Sequence, residues 1–79
     1  MYPNYELQVW THEGWEKVEG TETSNRPHIY DELRAKFDLL VMGAKPYSAH
    51  FVKGFGYRIA RQEYDGKSHV WITVDDWQV

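Results

Sequence analysis

A chain of 79 residues without cysteine buries only a little over ~60% of its unfolded surface, and it has no disulfide framework or thiolate metal site to reinforce a thin core. Nine Lys and Arg against twelve Asp and Glu give a net charge of −3, which argues against non-specific duplex binding by bulk electrostatics and is far too mild for a DNA mimic. The start Met1-Tyr2-Pro3-Asn4 has no basic region leading into an apolar run, and no segment nears the roughly 20 apolar residues that cross a bilayer, so one soluble, cytoplasmic domain over residues 1–79 is expected.

Tyr5, Leu7 and Val9 alternate with Glu6, Gln8 and Trp10, the period of a half-buried strand, which predicts a first strand over about residues 4–11. Thr11-His12-Glu13-Gly14 is a turn signal, and Trp15 to Glu19 return as a short second strand. Ser24-Asn25-Arg26-Pro27 offers capping oxygens and an early proline, so a helix is expected to begin near residue 25. Within it Ile29, Leu33, Phe37, Leu40 and Val41 recur at spacings of three and four, with Asp31, Glu32, Arg34, Lys36 and Asp38 opposite, and Gly43 is the expected stop. Ala44 to Ala49, with Pro46, reads as a loop into a third strand opening near Phe51 and interrupted by Gly54 and Gly56.

Asp65-Gly66 marks a tight two-residue hairpin, which sorts the flanking side chains by face. Tyr57, Ile59, Val70, Ile72 and Val74 fall on one side, and Arg58, Ala60, Gln62, Tyr64, His69, Trp71 and Thr73 on the other. The expected fold is α+β: a four-stranded antiparallel sheet in the order β-β-α-β-β, with one helix packed on one face. The helix stripe would cover Leu7, Val9, Ile59, Ile72 and Val74, leaving Trp10 and Trp71 on the open face.

Thirteen aromatic residues exceed what so small an interior hides, and the open face is where the surplus goes. Cross-strand aromatic pairs stabilise small sheets on their own account, by roughly 0.2–1 kcal/mol each. Trp, Tyr and Arg are also the residues enriched at protein-binding hot spots, which makes Trp10, Arg58, Tyr64, His69 and Trp71 the candidate partner-binding set. A second reading, single-stranded nucleic-acid binding, would use Lys53, Arg58, Arg61 and Lys67. A third buries the open face or an edge strand in a homodimer.

Other motifs weigh against catalysis and metal binding. Lys53-Gly54-Phe55-Gly56-Tyr57 resembles the start of the ribonucleoprotein motif of RNA-recognition and cold-shock domains, but Arg58 and Ala60 stand where that motif continues with an aliphatic and an aromatic residue, and the hairpin turns Tyr57 toward the helix. His12, His28, His50 and His69 lack metal-ligand spacing. Ser24, Ser48 and Ser68 lie in turns or at a strand start without a nucleophile signature, and the adjacent Asp75 and Asp76 point to opposite faces of a strand. No cofactor, metal or catalytic residue is expected, and the chain reads as a non-enzyme.

In size, element order and overall character the whole chain resembles the short accessory proteins of bacteriophages and other mobile elements, including ββαββ anti-CRISPR and host-takeover inhibitors. That resemblance implies a non-catalytic inhibitor working in the host bacterial cytoplasm. Its partner would be a host protein or ribonucleoprotein complex of bacterial defence or nucleic-acid processing.

Overall fold

A computed structural model describes residues 3–79; Met1 and Tyr2, part of the N-terminal stretch assessed above for a leader, lie outside the described residues. The elements are β1 (Tyr5–Thr11), β2 (Gly14–Lys17), α1 (Ile29–Ala44), a 3-10 helix (Lys45–His50), β3 (Gly56–Tyr64) and β4 (His69–Gln78). The strands form one antiparallel sheet in the order β2-β1-β3-β4, so the expected ββαββ arrangement with a helix on the sheet is the fold observed.

The first hairpin closes tightly because Gly14, at φ 108°, takes the backbone turn, while the Thr11 hydroxyl donates to the Gly14 carbonyl (3.0 Å) and accepts from the Glu13 amide (3.1 Å). The resulting register sets Trp10 opposite Trp15. The helix starts four residues later than its capping signal suggested. Ser24 forms a β-bridge with Tyr5, its carbonyl accepting from the Tyr5 amide at 2.9 Å and its amide donating to the Tyr5 carbonyl at 3.2 Å. Its hydroxyl then accepts from the Arg26 amide, so the serine organises a turn ahead of the helix. His28 caps the helix from a left-handed conformation, φ 68°, with no side-chain bond. Gly43 does not end it, since the chain runs on through Ala44 into the 3-10 helix, where Pro46 stands in the first turn at a position that needs no amide donor.

Ile29, Leu33, Phe37 and Val41, one turn apart on α1, are buried against Leu7 of β1 and Ile59 of β3, with Tyr5, Val18, Tyr30, Leu40, Tyr57 and Trp77 around them. The helix lies over β1 and β3, and besides Trp77 at the margin of the core two polar contacts tie it to β4: the Tyr30 hydroxyl donates to Asp75, which also accepts from Arg34 at 2.8 Å.

That placement corrects the expected core. The reversal sits one residue further along than Asp65-Gly66: the Asp65 amide donates to the Ser68 carbonyl at 3.0 Å, and Tyr64 pairs with His69. The pairing moves by two residues, which preserves which face each side chain takes as far as Thr73. A bulge then intervenes, with Ala60 opposite Thr73 but Ile59 opposite Asp75, so Val74 drops out of the alternation and Asp75 and Trp77 take the helix side. Ile72 and Val74 are accordingly 41% and 39% exposed, and neither joins the core. Beyond the helix the β3–β4 hairpin projects on its own. The radius of gyration, 13.0 Å, exceeds the about 11.6 Å of a compact chain this long, and the molecule measures 40 × 26 × 18 Å.

Candidate functional site

The open face divides into two ends. Trp10 and Arg58 are brought together at one, through a residue the sequence reading did not single out. Trp15, opposite Trp10 on β2, meets it edge-on at 5.3 Å between ring centroids, and the Arg58 guanidinium lies over the Trp15 ring at 4.5 Å. Arg58 also donates to the Gln8 side-chain oxygen (2.6 Å) and the Thr73 hydroxyl (2.8 Å), and Gln8 in turn donates to Glu6 (2.6 Å). One polar chain thus crosses β4, β3 and β1. It satisfies Gln8, only 3% exposed on a face expected to be open, and burial holds the Arg58 guanidinium below its ordinary pKa. The pairing of Trp10 with Trp15 was implicit in Thr11-His12-Glu13-Gly14, because a two-residue turn between Thr11 and Gly14 leaves no other register.

Tyr64, His69 and Trp71 occupy the other end. Tyr64 and His69 face one another across the hairpin with rings 5.4 Å apart, and Trp71 stands opposite Gln62. Gln62 is four residues along β3 from Arg58, about 13 Å at ~3.3 Å per residue, and Trp10 lies further still in the opposite direction. The five expected contact residues therefore make two groups, and a concave surface lies at the Trp10 end.

That surface is a cleft of about 250 Å³ lined by Trp10, Thr11, His12, Val52, Lys53 and Phe55. Its far wall comes from the segment between the 3-10 helix and β3. Phe51 and Phe55 stack at 4.3 Å, Phe55 meets Tyr57 edge-on at 5.4 Å, and Tyr57 stacks on Trp77 at 6.5 Å. Val79 fastens this segment, its backbone oxygen accepting from the Gly54 amide at 3.0 Å and its amide donating to the Phe55 carbonyl at 2.8 Å. Gly54 lies so close to the indole that a Cβ on it would stand 3.7 Å from Trp10 Nε1. Phe55 belongs to the glycine-flanked run read above, but here it walls the cleft while Tyr57 turns to the helix side, as the hairpin register required. Val52, 83% exposed, and Lys53 form the outer lip.

The expected nucleic-acid residues are dispersed. Arg58 lies on the open face, whereas Arg61, opposite Tyr5 and Ile72, is on the helix side and ion-paired with Glu63. Lys67 is at the hairpin tip and Lys53 at the cleft, so no continuous basic track joins the four. Among the described residues no three His, Cys, Asp or Glu side chains gather where they could share a metal ion, and no helix is long and apolar enough to cross a membrane. No family model, curated protein or solved structure matches the chain.

Proposed function

We propose that the protein is a non-catalytic interaction module that receives an apolar anchor side chain of a protein partner in the cleft between Trp10 and Phe55. The observation that carries this reading is the cleft itself: a concave apolar surface with aromatic walls, beside a tryptophan pair whose Trp15 ring is covered by the Arg58 guanidinium. Partner anchors bury themselves in pockets of that kind, where rigid aromatic walls lose little conformational entropy on binding. His12 and Lys53 at the rim favour an acidic or polar surround on the partner. The resemblance in size and element order to phage accessory inhibitors directs the choice of partner to a bacterial defence or nucleic-acid-processing complex, held without cofactor or turnover.

The test is affinity capture from bacterial lysate, with and without nuclease, comparing wild type with Trp10→Ala and Phe55→Ala. A discrete protein complex that survives nuclease and is lost with both variants is the expected result. Capture of nucleic acid alone would replace this reading with the single-stranded nucleic-acid one, and a complex retained by both variants would move the contact elsewhere.

A further inference from the structure

The edge of β4 lies at the opposite end of the sheet from the cleft, and it carries a separate inference. The Gln62 amide donates to the Asn4 carbonyl at 2.9 Å, away from β4, which makes Gln62 and Trp71 a pair that exchanges no backbone bonds. By the alternation of an antiparallel ladder, Tyr64 with His69 and Ala60 with Thr73 are pairs of the same kind. The Asp65 to Ser68 bond falls on the intervening, bonded set, as this alternation requires. The amides and carbonyls of His69, Trp71 and Thr73 therefore all point outward along the free side of β4.

Native sheets blunt such edges with charges, bulges or a covering element. Here the bulge at Val74 and the aspartates at 75 and 76 blunt one half of β4, whereas His69–Thr73 carries no Asp, Glu, Lys or Arg and lies beyond the helix.

We propose that this half-strand pairs with the same half-strand of a second copy, antiparallel about a two-fold axis at Trp71. In that register Trp71 faces its own mate, and His69 of each copy faces Thr73 of the other. All outward groups of the three residues are satisfied by six backbone hydrogen bonds, a count that follows from two per bonded pair. On the helix side Val70 of each copy comes opposite Ile72 of the other, continuing into one apolar row the 41%-exposed Ile72 that the helix leaves uncovered. The same register carries each Lys67 toward the Asp75-Asp76 end of the other copy, so the charges at the two ends of the strand are complementary. The product is an eight-stranded sheet with two-fold symmetry and both Trp10 clefts at its far ends.

Because Trp71 lies on the axis, it meets itself, and a charge placed there is repelled by its own copy. Sedimentation of wild type across a concentration series is expected to pass from the 9.4 kDa monomer to twice that mass. Trp71→Lys and Trp71→Asp are each expected to stay monomeric, and their equimolar mixture to regain the doubled mass, which also establishes that both variants fold. Amide exchange on wild type supplies a second readout, with the His69, Trp71 and Thr73 amides slowing as concentration rises. Wild type that stays monomeric with these three amides fast would overturn the proposal. So would doubling by Trp71→Lys alone, or protection of the three amides only when an extended peptide is added, which would assign the edge to a foreign strand.

Discussion

Gly56→Ala tests how the cleft wall is held. Gly56 is buried at the start of β3 opposite Gln78, and a Cβ there would press on the Trp77 carbonyl oxygen and stand 2.7 Å from Gln78 Cγ and 2.8 Å from Gln78 Cα. Two of these three atoms are backbone, so no side-chain rotation relieves the clash, and the end of β4 must move off β3. Forcing a methyl into a packed site costs about 1–3 kcal/mol. Parting the strands also strains the two backbone bonds that fasten Val79 to Gly54 and Phe55, at about 0.5–1.5 kcal/mol each. Together these give about 2–6 kcal/mol, a large share of the roughly 4–12 kcal/mol expected for a chain this long. Urea denaturation would report the loss as a lower midpoint with an unchanged slope, and near-ultraviolet circular dichroism would report loosening of the Phe55–Tyr57–Trp77 stack. Gly43→Ala is the matched control. It lies in α1 with nothing within 4 Å of a Cβ and should stabilise by about 0.5–1 kcal/mol. A Gly56→Ala midpoint equal to wild type would refute the close strand approach on which the cleft depends.

Other expectations concern the polar networks. Arg58→Ala removes the guanidinium from the Trp15 ring and from buried Gln8, and chemical denaturation should show a loss of about 2–3 kcal/mol; Arg58→Lys should recover little, since an ammonium cannot reproduce the planar stack and the directed bonds. Tyr30→Phe should cost about 1–2 kcal/mol through the lost bond to Asp75. That bond and burial raise the Tyr30 pKa, so its contribution is complete below about pH 10 and disappears as pH climbs through the raised value; Tyr30→Phe should flatten this alkaline branch of a melting-temperature profile. In acid the sign reverses: Arg26 lowers the pKa of Glu22 and Glu32, and the Ser68 and Lys67 amides lower that of Asp65. The stability these carboxylates contribute is present above about pH 4 and lost as pH falls through their depressed values, and Arg26→Ala should make the acid limb of the profile shallower.

Local pattern made most of the elements legible. Alternation at Tyr5 to Trp10, the spacing of Ile29, Leu33, Phe37 and Val41, and the hairpin parity from Tyr57 to Thr73 each reflect one element burying one face, and a short window of sequence suffices to read them. The helix start was not legible, because Ser24 has a choice between capping a helix and bridging Tyr5, and only the neighbouring strand decides it. The exposure of Ile72 and Val74 was hidden for a similar reason, since both have the residue type and parity of a core position.

The four-stranded sheet with one helix, the side of the sheet that Trp10 and Trp71 share, and the inward turn of Tyr57 were all written in local pattern. These follow from periodicity and turn chemistry, which act over a few residues. Long-range packing separates the open-face residues into two ends, brings Phe55 beside Trp10, and leaves half of β4 extending past the helix. Those outcomes depend on strand order, on a one-residue bulge and on where a single helix comes to rest, each fixed by contacts between segments far apart in the chain.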